Sequence, residues 1–272
     1  MPTEKPQSKA ERREAARAEA LALREAQAKR DKRSRTITIS ALAVGVLVLV
    51  GLGAYILSQA GDPDRPLEGV AAPTVATENG GIPVGAEGAA GTDNGPDAVE
   101  VGVYLDYMCP RCGEFEAING PTLDELREAG DITLVLHPVS ILDRQSNQTQ
   151  FSTRSAATAG FVADRAPEAM NEFNTLMFAS QPGEGSSGFT DEQMADIAVQ
   201  AGVPQDVADE IADGAPMDEF GKWAEGATQV AMSEVSGPNG FGTPTVTIDG
   251  ERWEGNWGDP TALATAITEA QG

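Results

Sequence analysis

The sequence predicts an α/β domain that follows a single membrane-spanning helix. Near the N-terminus, the segment Ile37 to Leu57 is 21 residues long and carries no formal charge. Farther along, the residue patterns change in the order strand, helix, strand, helical block, strand, strand, helix. A long apolar segment suits a bilayer, and strands alternating with helices indicate a sheet covered by helices.

Charge separates the chain into two parts. The first 35 residues contain 11 of the 19 Lys and Arg but only 6 of the 42 Asp and Glu, so they carry a net +5, and the rest carries −28. Such an asymmetry indicates two pieces in two environments. The acidic body excludes nucleic acid as a partner, because binding phosphates requires clustered Lys and Arg.

The apolar segment divides the N-terminal region into a basic cytoplasmic tail, residues 1–35, and a transmembrane helix, residues 36–58. At about 1.5 Å per residue, 21 residues span roughly 30 Å, the thickness of a bilayer core. Lys32, Arg33 and Arg35 precede it, and the next basic residue is Arg65. The positive-inside rule then predicts a single-pass cell-membrane protein with an extracytoplasmic C-terminal part.

The alternative is a cleaved signal peptide, because Ser58-Gln59-Ala60 has the small-x-small form of a cleavage site. A basic region of 35 residues and an apolar segment longer than the usual ~7–15 residues favour an uncleaved signal anchor.

Residues 59–97 are predicted to be a flexible Gly/Pro-rich linker, since residues 60–97 contain 8 Gly and 5 Pro. The alternative within this segment is a short edge strand at residues 81–85.

The α/β domain is predicted over residues 98–272. Val99 to Leu105 alternates apolar residues on one face and predicts a strand, and Asp131 to Val139 predicts a second. Between them, Cys109 to Glu128 predicts a helix interrupted at Gly120-Pro121, which makes a βαβ crossover. A helical insertion follows at about 142–236. The remaining elements are a capping box at Thr190 and Gln193, a hairpin of Thr245 to Ile248 with Glu251 to Glu254, and a last helix opened by Asp259-Pro260.

The two cysteines of the chain stand in the sequence Cys109-Pro110-Arg111-Cys112, at the junction of the first strand and helix. Unpaired N–H groups and the helix dipole favour a thiolate at Cys109, Pro110 suits the first helical position, and Arg111 adds a positive charge. Cys112 lies one turn into the helix. We expect no metal, because zinc would need two more ligands and the chain has one histidine, and no cofactor. A purely structural disulfide would close too small a loop to add much stability.

Two segments resemble the signatures of DsbA-like thioredoxin-fold proteins: Asp106-Tyr107-Met108-Cys109-Pro110-Arg111-Cys112 and Phe241-Gly242-Thr243-Pro244-Thr245. The resemblance covers about residues 97–272 and includes the helical block. It implies a thioredoxin-like fold with a helical insertion, in which Cys109 is the nucleophile and Cys112 the resolving cysteine. It also implies that Pro244 is a cis-proline facing them and that the backbone of Thr243 binds the substrate.

The sequence departs from the family pattern at two positions. Many members have His where Arg111 stands, and arginine does not titrate, so its stabilisation of a thiolate would persist at all physiological pH values. Thioredoxins bury an acid six residues before the first cysteine, and here that residue is Val103. The missing acid removes a proton acceptor for Cys112 and favours an oxidase over a reductase.

Other residues receive structural interpretations. His137 ends the second strand and is predicted to be a structural histidine. A further set is predicted to pack mainly in the core, with lining of a substrate groove as the alternative: Met108, Phe115, Met217, Trp223 and Met232.

The sequence thus predicts an extracytoplasmic thiol–disulfide oxidoreductase that introduces disulfide bonds into exported cysteine-containing proteins. By resemblance, its reoxidant would be a quinone-linked membrane protein of the DsbB or VKOR type. Two alternatives stay open: a disulfide reductase for cytochrome maturation or repair, and a non-catalytic, membrane-anchored adaptor.

Overall fold

The computed structural model describes residues 9–59 and 65–272, and it divides into an N-terminal unit and a domain that begins at Asp62. The first eight residues of the predicted basic tail lie outside the described residues. So does segment 60–64, which contains Ala60 of the candidate cleavage site.

The N-terminal unit is one continuous helix, α1 (Lys9–Gln59), which contains no proline. It joins the predicted tail and the predicted span without a break. The candidate membrane-crossing part of α1 lies within Leu21–Leu52, where an 18-residue window has a mean hydropathy of 2.1. Its apolar side chains, such as Leu47 and Leu49, are exposed.

The domain is built on a five-stranded sheet in the order β1-β3-β2-β4-β5. Its strands are β1 (Ile82–Val84), β2 (Val99–Leu105), β3 (Ile132–Pro138), β4 (Thr245–Ile248) and β5 (Glu251–Trp253). Strands β2 and β3 pair in parallel through the crossover helix α2 (Pro110–Ala129), as predicted, and the other pairs are antiparallel. A tight turn joins β4 to β5, where Asp249 and Gly250 have φ angles of +49° and +80°.

Helices cover both faces of the sheet. Val103, Leu134 and Leu136 lie on one face of the sheet, because alternate residues of a strand point to the same side. Helix α2 packs on this face. On the other face, Tyr104 and Val139 pack against α7 (Ala215–Glu234). Helix α8 (Pro260–Gln271) begins at Pro260 as predicted, with Asp259 as its N-cap.

The predicted helical insertion is present between β3 and β4. Besides α7 it contains α3 (Phe151–Arg165), α4 (Met170–Ala179), α5 (Asp191–Gln200) and α6 (Gln205–Ala212). The capping box at the start of α5 forms as predicted: Thr190 accepts from the Gln193 backbone N–H, and the Gln193 side chain accepts from the Thr190 N–H.

The prediction of a flexible linker over residues 59–97 is wrong for residues 65–97. Strand β1 lies inside this segment and pairs antiparallel with β3, so the short edge strand considered at 81–85 is real. Ile82 and Val84 are fully buried and join the main core. The domain therefore starts well before residue 98.

The predicted interruption at Gly120-Pro121 is also wrong, since α2 runs unbroken through Pro121. A proline restricts the preceding residue mainly through that residue's Cβ, and Gly120 has none. The carbonyl that loses its helical partner belongs to Ala117, which is exposed to solvent.

Candidate active site

Cys109 is the N-cap residue of α2, and Pro110 takes the first helical position. A short turn leads from β2 to it, closed by a hydrogen bond of 2.9 Å from the Cys109 N–H to the Asp106 carbonyl. Both cysteines are free thiols. The arrangement follows from the sequence, because an extended strand ends at Leu105 and proline can open a helix but not continue a strand.

The two thiols have opposite acidities. The pKa of Cys109 is lowered to about 6, first by a hydrogen bond with the Cys112 thiol. The Thr243 side chain and the backbone N–H groups of Cys112 and Arg111 lower it further, while burial opposes them. The pKa of Cys112 is raised well above its usual range, first by burial and then by its bond to Cys109. Cys109 is therefore the thiolate, and Cys112 holds the proton.

The segment before β4 faces this pair from the other side. The Thr243–Pro244 peptide bond is cis, as the resemblance implied. The Cys109 Sγ lies 3.5 Å from the Thr243 carbonyl oxygen. The Thr243 hydroxyl is buried and has no oxygen or nitrogen partner among the described residues, but its side chain helps to lower the pKa of both cysteines.

We expected the positive charge of Arg111 to lie beside the Cys109 sulfur, but the structure places it elsewhere. Its guanidinium lies over the Trp257 ring, 4.8 Å from the centroid, in a cation–π contact. Arg111 contributes to the lowered pKa of Cys109 through its backbone N–H.

A buried acid that the sequence reasoning passed over lies beside the pair. Asp106, three residues before Cys109, is fully buried. Its Oδ1 accepts from the Met108 N–H and the Ser152 hydroxyl, both at 2.8 Å, and its Oδ2 accepts from the Leu142 N–H at 3.0 Å. Burial raises its pKa to about 7, and the negative charge of Cys109 adds to that shift. The position where the acid was sought, Val103, is a core residue.

His137 is structural, as predicted. It lies in β3, stacks on Tyr104 with 4.0 Å between ring centroids, and is kept neutral because burial lowers its pKa to about 3. It is not among the groups that shift the pKa of either cysteine.

Most of the side chains that were considered as lining of a substrate groove pack in the core instead. Met108, Phe115 and Trp223 are fully buried, and Met217 is half-buried. Met232, on α7, is 51% exposed and is the member of the set that remains accessible to a partner. Within residues 9–59 and 65–272, no cluster of three or more His, Cys, Asp or Glu side chains has an arrangement that would hold a metal ion.

Comparison with known proteins agrees with this geometry. The Thioredoxin family model (Thioredoxin_4) matches residues 89–268. The chain belongs to the DsbA-like family of thioredoxin-fold proteins. It is 32% identical to oxidised DsbA of Mycobacterium tuberculosis, with a TM-score of 0.56, covering 71% of this chain and 93% of that one. It is also 32% identical to reduced DsbG, a disulfide bond oxidoreductase of the same organism, with a TM-score of 0.57, covering 76% and 92%.

Two further matches are more distant or partial. MdbA of Actinomyces oris, a thiol–disulfide oxidoreductase, is 24% identical with a TM-score of 0.58 and shares the fold. The serine/threonine-protein kinase PknE of M. tuberculosis is 29% identical over 175 residues, and the match spans only 29% of its length. As a DsbA-like protein, the chain is a thiol–disulfide oxidoreductase.

Proposed function

We propose that Cys109 and Cys112 are the redox-active pair and that the protein introduces disulfide bonds into exported proteins. The observation that carries the proposal is the split acidity of the pair: a Cys109 pKa of about 6 makes its thiolate a good leaving group at neutral pH. A good leaving group favours release of the substrate in its oxidised form.

The reaction balances as two sulfur exchanges. A substrate thiolate attacks Cys109 Sγ in the disulfide form, breaking the Cys109–Cys112 bond, and Cys112 takes up a proton because its pKa is high. The second substrate thiolate then attacks the substrate sulfur of the mixed disulfide, and Cys109 leaves as the thiolate. The substrate loses two electrons, and the enzyme gains them.

The cis segment supplies the docking edge in this proposal. The Thr243 backbone beside Cys109 pairs with an extended substrate strand, and Pro244 keeps that edge open. Reoxidation requires an electron acceptor, which by family resemblance is a quinone-linked membrane protein of the DsbB or VKOR type. Anchoring by α1 in the cell membrane would keep the extracytoplasmic domain near such a partner.

Trapping tests the assignment of the two cysteines. Cys112→Ala should accumulate mixed disulfides with exported proteins through Cys109, because the resolving thiol is gone. Cys109→Ala should accumulate few, since the remaining thiol is buried and protonated. Equal trapping by both variants, or faster alkylation of Cys112 than of Cys109 at pH 6, would reverse the assignment.

One observation favours the second candidate, a disulfide reductase. The buried Asp106 carboxyl, with a pKa near 7, lies beside the pair and is suited to exchange protons at neutral pH. A reductase needs such a group to deprotonate its resolving thiol. The split acidity of the pair supports disulfide donation without such a group, which is why the oxidase is our first proposal.

A further inference from the structure

Gln181 reaches from the helical insertion to the turn that carries Cys109. It follows the C-cap of α4, far from the cysteines in sequence. Its Nε2 donates to the Tyr107 carbonyl at 3.0 Å and to the Cys109 carbonyl at 2.8 Å. One side-chain amide therefore holds both the turn that precedes α2 and the N-cap residue of that helix.

The same amide is wedged against the first turn of the helix. A Cβ added at Gly113 would lie 2.5 Å from Gln181 Oε1. Any side chain at position 113 would displace the Gln181 amide, because the end of the flexible Gln181 side chain can move and the helix backbone cannot. The Gln181 amide thus binds the Tyr107 and Cys109 carbonyls through its nitrogen, and its oxygen lies beside Gly113 of α2.

We propose that Gln181 is a positioning residue that sets the acidity of the Cys109 thiol. This inference rests on the proposed role of Cys109 as the reacting thiolate. The Cys109 carbonyl also accepts the first helical bonds, from the N–H groups of Cys112 at 3.0 Å and Gly113 at 3.3 Å. By holding that carbonyl, Gln181 fixes the first turn of α2, whose Cys112 and Arg111 N–H groups lower the pKa of the Cys109 thiol.

Gln181→Met tests the proposal, because methionine has a similar length but donates no hydrogen bond. We expect the pKa of Cys109 to rise by about half a unit, which makes the reduced form about threefold less favoured and lowers the reduction potential by about 14 mV. The measurements are the pH dependence of iodoacetamide alkylation at Cys109, read by peptide mass spectrometry, and the equilibrium with glutathione. Both use the full chain purified in detergent.

Gln271→Met is the matched control for Gln181→Met, and Gly113→Ala is a second variant that should raise the Cys109 pKa. Gln271→Met removes a similar bond, from an amide to the Asp131 carbonyl at 3.2 Å, and should leave the Cys109 pKa unchanged. Gly113→Ala should raise the Cys109 pKa by displacing the amide, although alanine is the better helix former. In the Gln181→Met background, Gly113→Ala should add no further rise in that pKa.

The outcomes separate this inference from the proposed function. If Gln181→Met and Gly113→Ala change only the melting temperature and leave the alkylation profile of Cys109 as in the wild type, Gln181 merely packs and the inference fails. If the wild type itself shows a Cys109 pKa near ~8.5, the proposed thiolate chemistry fails, whatever the variants do.

Discussion

Cys109 and Cys112 are identical side chains one turn apart, and their position alone makes one acidic and the other not. Cys109 is the N-cap residue of α2, and its sulfur accepts hydrogen bonds. Cys112 is buried within the helix, and its thiol donates a hydrogen bond to Cys109. In the reaction that we propose, this difference gives the pair a direction: Cys109 meets the substrate, and Cys112 closes the intramolecular disulfide.

The lowered pKa of Cys109 predicts how the stability of the reduced protein depends on pH. The folded-state pKa of about 6 lies below the usual 9.0, so the stabilisation is complete above pH 9 and is lost as pH falls to 6. At pH 7 it amounts to roughly 1 kcal/mol after discounting solvent screening. Calorimetry should show the reduced form melting above the oxidised form at pH 7, with a smaller gap at pH 5. A gap that widens on acidification would contradict this.

Asp106→Asn should make Cys109 more acidic while weakening the fold. Asparagine cannot ionise, but Asp106 is itself mostly protonated at pH 6, where Cys109 titrates, so the pKa of Cys109 should fall by only about a few tenths of a unit. The new amide would also face the Leu142 N–H, which needs an acceptor, so the melting temperature should drop. Alkylation profiles and thermal melts measure both effects.

The control is Asp164→Asn, because Asp164 accepts similar bonds from Thr74 but its pKa, unlike that of Asp106, is not shifted by Cys109. An unchanged Cys109 pKa in Asp106→Asn would show that Asp106 serves only the turn.

Some residues of the site can be predicted from a local sequence motif, and others cannot. The Cys109 pair and the Thr243–Pro244 segment are recognisable because short motifs encode their local geometry. Asp106 gains its role from Ser152 in α3, and Gln181 from a contact across more than 70 residues. No local pattern marks a polar residue that is buried by a distant part of the chain.

At the scale of elements, β1 is the strand that could not be predicted from the amino-acid composition of its segment. Three residues are too short for a period-two pattern, and the neighbouring glycines and prolines indicate a linker. Pro83 is tolerated because β1 is an edge strand of the sheet. The longer strands β2 and β3 were predictable because seven residues suffice to show apolar alternation or a continuous apolar run.

Ile82→Ala tests whether β1 belongs to the folded domain. Ile82 is fully buried, so the substitution should lower the free energy of unfolding by about 3 kcal/mol. Val199→Ala, at an apolar position that is 40% exposed, is the control and should cost much less than that. Chemical denaturation of the reduced chain measures both values. An Ile82→Ala protein as stable as the control would mean that residues 65–97 are a linker after all.

At the scale of the whole molecule, the basic tail, α1 and the acidic domain predict that residues 1–35 are cytoplasmic and the catalytic domain is outside. Protease added to intact spheroplasts should degrade the domain and leave a short protected N-terminal fragment, because the Lys and Arg residues before Ile37 stay inside. Full protection of the domain would reverse the topology. A mature N-terminus at Gly61 would identify a cleaved signal peptide instead.

The reduction potential of the Cys109–Cys112 pair tests the central claim most directly. The full chain in detergent is equilibrated with glutathione buffers, and the fraction of disulfide is read by thiol alkylation. Because a stabilised Cys109 thiolate favours the reduced form, we predict a potential that lies a few tens of millivolts above that of thioredoxin, which is about −270 mV. A potential at or below that of thioredoxin would contradict the oxidase proposal and leave the reductase in its place.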